Sequence, residues 1–99
     1  MGDGEVIIDR TKPVDEEAGT WIELFAVENS SSPGGVHYRF QYYDAEAGEA
    51  ILRYDNAHDS EVGAHHRHFR GEREAVEYDG LASHLRRFQR EVTEINETR

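Results

Sequence analysis

Apolar and polar residues alternate at period two along Val36 to Tyr43, a pattern that admits little besides a strand half-buried on one face. Val36, Tyr38, Phe40 and Tyr42 fall on one side, the expected core, and His37, Arg39, Gln41 and Tyr43 fall on the other. The same period returns on both sides of this stretch. Thr20 to Glu28 sets Ile22, Leu24 and Ala26 against Trp21, Phe25 and Val27, so both faces are apolar and the strand is expected to be central. Glu49 to Asn56 sets Leu52 and Tyr54 against Ile51, Arg53 and Asp55. Dense turn signals, Asn29 to Gly35 and Asp44 to Gly48, separate the three stretches, as in an antiparallel meander.

The ends of the chain complete the reading. Glu5 to Asp9 is a short β-branched run, expected as an edge strand that stops before the polar stretch Arg10 to Gly19 with its Pro13. Glu72 to Tyr78 is a candidate last strand. Beyond it, Leu81, Leu85, Phe88, Val92 and Ile95 recur at helical spacing behind an expected N-cap at Asp79. His84 lies outside that stripe and is expected at the surface. Arg86, Arg87, Arg90, Glu91 and Glu94 are expected to be solvated. The sum is an α+β domain: an antiparallel sheet of four to five strands with one C-terminal amphipathic helix packed on a face.

The 99 residues suit a single domain, 1–99, with a heavily charged surface. The formal charge is −10, and the basic side chains are ten arginines and the single Lys12. Acid excess with almost no lysine is expected of a protein from a salt-loving organism, where salt screens the self-repulsion; an ordinary acidic mesophile domain is the alternative. The same charge argues against broad non-specific nucleic-acid binding and confines any such contact to a local patch. Cysteine is absent, which removes disulfides and thiolate chemistry. No apolar run approaches the ~20 residues that span a bilayer, and the N-terminus lacks signal-peptide character, so a cytoplasmic protein with no membrane partner is expected.

One island departs from the acidic background. Arg53-Tyr54-Asp55-Asn56-Ala57-His58 and His65-His66-Arg67-His68-Phe69-Arg70 hold four of the six histidines, and residues 62–70 carry no acid. Three readings stand for it. A solvated loop is the plainest. A metal site would use His65, His66 or His68 with Asp55, His58 or Asp59, but on an extended segment His66 and His68 face one way and His65 the other. Acid–base chemistry on RNA fits the residue types better: histidine titrates near neutrality, and arginine can stabilise phosphorane charge. On that reading His65, His66, His68, Arg53 and Asp55 are the catalytic candidates. Tyr54, Asn56, His58, Arg67 and Arg70 are the substrate-binding candidates, and no metal or other cofactor is expected. His37, Arg39, Gln41 and Tyr43 either extend the site or form the wet face of the sheet.

The order Tyr38-Arg39-Phe40-Gln41-Tyr42, then Leu52-Arg53-Tyr54-Asp55-Asn56, then His65-His66-Arg67-His68, an acidic stretch and a terminal helix resembles the TumE family of toxin–antitoxin toxins. The likeness covers roughly residues 20–95. The sequence departs from the family pattern at Ala64, where proline is usual, and at Arg67, where lysine is usual. The resemblance implies a growth-inhibiting toxin neutralised by a helix-turn-helix antitoxin, with RNA or translation as target; together with the acid–base reading of the residues above, a ribonuclease independent of metal is expected. Its matching positions are Arg53, Tyr54, Asp55, Asn56, His65, His66 and His68. The alternatives are a non-catalytic protein-interaction module and a histidine-based metal-binding protein.

Overall fold

The computed structural model describes residues 4–57 and 64–98, and statements of absence below refer to those residues. Six strands follow in chain order as an antiparallel meander: β1 (Val6–Asp15), β2 (Thr20–Glu28), β3 (Val36–Asp44), β4 (Glu49–Asp55), β5 (His66–Phe69) and β6 (Glu72–Ala75). Helix α1 (Leu81–Thr98) ends the described chain. The architecture is α+β as the alternation predicts, but the strand count exceeds four to five. The His-Arg-His-Phe run, read as a site segment, is itself a strand paired to β4.

Two of the turns use one device. Asp15 Oδ1 accepts hydrogen bonds from the backbone N–H of Glu17 (3.1 Å) and Ala18 (3.2 Å), and Asp44 Oδ1 accepts from Glu46 (3.0 Å) and Ala47 (3.1 Å). Each turn closes on a left-handed glycine, Gly19 and Gly48. With the turns fixed, register follows: Tyr42 lies opposite Ile22 and Leu52, and Phe40 lies opposite Leu24 and Tyr54. Every second residue of β2, β3 and β4 therefore reaches one face.

That face is the core. Ile22, Leu24, Ala26, Tyr38, Phe40, Tyr42, Leu52 and Tyr54 are buried with Phe88 and Val92 of α1, and Leu81, Leu85 and Ile95 pack against them. The Phe88 ring sits 5.7 Å from Phe40 and 5.3 Å from Tyr54, centroid to centroid, in tilted and edge-on arrangements that aromatic pairs favour. No helix covers the opposite face, called the open face here.

The structure corrects five further expectations. β1 runs through Pro13 to Asp15 instead of stopping at Asp9; a proline is tolerated there because β1 is an edge strand and need not donate on its outer side. The last strand ends at Ala75, short of Tyr78. The first helical hydrogen bond runs from His84 N to Gly80 O, so Gly80 takes the capping position expected of Asp79. His84 is buried rather than at the surface, and Glu91 is bonded into the sheet rather than solvated. No helix among the described residues is long and apolar enough to cross a membrane.

Candidate active site on the open face of the sheet

Antiparallel register brings the basic island together. β4 and β5 pair Asp55 with His66 and Arg53 with His68, while β3 sets Arg39 opposite Asp55 and Gln41 opposite Arg53. All these positions share the parity of the open face. Asp55 is the hub. Its Oδ1 lies 3.0 Å from His66 Nδ1, and its Oδ2 lies 3.5 Å from His68 Nε2. Arg53 Nε comes within 2.9 Å of the same Oδ2, a close ion pair whose N–H is not aligned for a hydrogen bond. Arg53 Nη2 reaches His68 Nε2 only at 3.5 Å.

Burial grades the group. Asp55 and His66 are almost closed to solvent, whereas the side chains of His68 and Arg53 keep 28% and 35% exposure, so these two are the members a substrate can touch. Partial burial, with the Arg53 guanidinium alongside, holds His68 below the ordinary imidazole value against the opposing pull of Asp55. His68 is therefore a neutral imidazole near neutral pH, able to take a proton. Asp55 orients His66 through its Nδ1, as a carboxylate fixes a histidine in hydrolase triads.

The same atoms have the make-up of a cation site. Asp55, His66 and His68 offer one oxygen and two nitrogens, all within 4.8 Å of one another, a donor set that suits a borderline transition ion. Arg53 already places a positive charge against the Asp55 carboxylate.

The open face is hollowed beside this group. A hollow of about 340 Å3 is lined by Phe25, His37, Arg39, Arg53 and Asp55, and one of about 190 Å3 by Arg53, His68, Phe69 and Arg70. The row His37 and Arg39 thus borders the cluster, as it would if β3 and β4 were neighbours.

The other sequence candidates lie elsewhere. His65 points to the helix side, as alternation against His66 and His68 requires. Its Nδ1 is 2.9 Å from the Tyr38 hydroxyl, which is also 2.9 Å from His84 Nε2; the hydroxyl donates to one imidazole and accepts from the other. The His65 ring stacks on Tyr78 at 4.3 Å. Gly34 touches that stack from behind, since a Cβ there would meet Tyr78 at 2.7 Å. Burial lowers His65, and burial with His65 and Arg87 nearby pushes His84 down to about 4.

Tyr54 is wholly buried on the helix side and donates to Glu91 Oε1. Arg67 also bonds Glu91, with Nε at 3.0 and 3.1 Å from the two oxygens. Burial alone would raise the Glu91 carboxyl, but the Arg67 and Tyr54 hydrogen bonds overcome it and hold it low. Asn56 is spent on the backbone: Oδ1 accepts from Tyr38 N at 3.0 Å, and Nδ2 donates to the carbonyls of Pro33 and Val36. Arg70 sits at the β5–β6 turn beside the smaller hollow. His58 and Asp59 lie outside the described residues.

Of the ten candidates, Arg53, Asp55, His66 and His68 converge, Arg70 adjoins them, and His65, Tyr54, Arg67 and Asn56 serve the opposite face or the backbone. The polar core around Tyr38 escaped the sequence reading. One signal pointed to it: His84 stands four residues before Phe88, on the same side of the helix.

Fold and site define a small α+β domain with a histidine–carboxylate–arginine cluster on the bare face of an antiparallel sheet. A family model described as Toxin TumE matches residues 7–96, most of the chain, and the chain belongs to the TumE toxin family. Its class is therefore the toxin of a toxin–antitoxin pair, which implies an antitoxin partner. No curated protein and no solved structure matches the chain.

Proposed function

We propose that this toxin cleaves RNA on the open face without a metal ion, with His68 as general base and Arg53 as phosphate ligand. The observation that carries the reading is the convergence of Asp55, His66, His68 and Arg53 through strand register, with the two outer members partly exposed and the two inner ones buried. Neutral His68 takes the 2′-hydroxyl proton as the 2′-oxygen attacks phosphorus. Arg53 stabilises the charge that grows on the phosphoryl oxygens, and the departing 5′-oxygen takes its proton from water, leaving a 2′,3′-cyclic phosphate. Asp55 and His66 are positioning residues: the carboxylate fixes His66 and counters Arg53, keeping the guanidinium near His68. Arg53 against Asp55 supplies the local positive charge that a metal would otherwise provide.

From the family likeness, the neutralising partner is read as a helix-turn-helix antitoxin, and the site of action as the cytoplasm. Two other readings use the same residues. A histidine-based metal centre is favoured by the Asp55–His66–His68 donor set. A non-catalytic interaction module needs no proton transfer at all.

Incubating purified protein with a labelled single-stranded RNA, with and without EDTA, and mapping the ends separates the three. Cyclic-phosphate ends formed equally in EDTA, and lost in His68→Asn, are the expected result. Cleavage abolished by EDTA and restored by zinc or manganese would move the same side chains to metal ligands. No cleavage by folded protein would leave the interaction module.

A further inference from the structure

We infer that the open face holds two subsites that share Arg53 as their common wall, so that the ligand is a single-stranded RNA seated as two nucleotides with the intervening phosphate on Arg53. The inference rests on the RNA reading above. Arg53 lines both hollows, the 340 Å3 one toward β2 and β3 and the 190 Å3 one toward the β5–β6 turn. The larger stands at the low end of the ~300–1,000 Å3 range of small-molecule sites and carries Phe25, Arg39 and His37, an aromatic ring with cationic or titratable neighbours. The smaller holds His68 and Arg70.

The backbone supplies an independent sign at Arg70. Arg70 and Gly71 form the two-residue β5–β6 turn, with φ of 53° and 79°. Such a turn wants asparagine, aspartate or glycine at its first position, and a long side chain in the left-handed region is strained. Arg70 lines the smaller hollow, and its guanidinium lies 4.9 Å from the centroid of the Phe69 ring, which packs toward the helix side. An arginine kept at a turn position that disfavours it, on the rim of that hollow, is what a ligand contact there would require. Two hollows divided by a guanidinium separate neighbouring bases. A-form duplex keeps its bases stacked and paired, so only a single strand can splay them in this way. With so few cations against a net charge of −10, affinity comes from a short stretch rather than a long backbone track.

The test is fluorescence anisotropy of the full chain with a labelled, uncleavable 2′-O-methyl hexauridylate and with a blunt RNA duplex of equal length, alongside competition by the dinucleotide and by the mononucleotide. The single strand should bind at least about tenfold tighter than the duplex, and the dinucleotide should compete better than the mononucleotide. Arg39→Gln and Arg70→Asn should each weaken the single strand by roughly threefold to tenfold. Arg70→Asn should do so while its Tm stays level or rises, which a merely structural arginine would not show. Equal binding of duplex and single strand, or Arg70→Asn binding like the parent, would overturn the two-subsite inference and leave the RNA reading standing. No binding of any RNA would remove both.

Discussion

Two tyrosines on one strand show how much a single hydroxyl depends on its neighbours. Tyr38 and Tyr42 both lie on β3, face the helix and are fully buried. Tyr38 bonds His65 and His84, whereas the Tyr42 hydroxyl has no hydrogen-bond partner among the described residues. Losing the first hydroxyl strands two imidazole nitrogens, and losing the second removes an unmet group. Tyr38→Phe should therefore cost about 1–3 kcal/mol in urea unfolding, while Tyr42→Phe should be neutral or mildly stabilising. The opposite order would contradict the assignment of the polar core. Nothing in the sequence separates the two tyrosines, because both satisfy the period-two rule equally; only the helix docked above them does. Asn56 shows the same limit. Its place in an Arg-Tyr-Asp-Asn run suggests a ligand contact, yet its amide holds the start of β3 in place. That His66 and His68 share one side and His65 takes the other was legible from parity alone; that Asp55 meets the two histidines was not.

Elements differ in how plainly their residues declare them. β2, β3 and β4 carry enough apolar residues to show their period, and α1 shows its stripe. β5 and β6 do not: Glu72–Ala75 is wholly exposed, and His66–Phe69 has polar groups on both faces. They are strands because β4 offers an edge and because Arg70–Gly71 turns the chain back. Helix α1 is held by Phe88, whose replacement by alanine should cost about 3–5 kcal/mol, and by neutral His84 against Tyr38. Folding lowers His84 from the ordinary ~6.5 to about 4, so between those values the unfolded chain binds the extra proton. Its contribution is complete above about pH 6.5 and is lost as the pH falls toward 4. The unfolding free energy should drop from pH 7 to pH 4.5 by on the order of 2–3 kcal/mol, moving the midpoint with it, and the slope should shrink in His84→Gln. A midpoint that does not change over this range would mean that His84 is not buried as a neutral ring.

Across the whole molecule, charge and site pull in opposite directions. A net charge of −10 repels itself, and salt relieves that repulsion, so Tm should rise from about 0.1 M to about 1 M potassium chloride. A falling or level Tm would show that the acidic surface carries no such strain. RNA binding should weaken over the same range, but with a shallow slope, because few phosphates are neutralised. The fold class was legible because a meander with one helix follows directly from its periods. The site was legible only in part, since convergence of distant residues depends on register that no local pattern fixes. The central claim is that toxicity resides in the open-face cluster. It is tested most directly by growth after induction of this chain, beside His68→Asn and Tyr42→Phe at matched soluble levels. Arrest by the parent and by Tyr42→Phe, with growth restored in folded His68→Asn, is the predicted result; arrest by His68→Asn as strong as the parent's would contradict it.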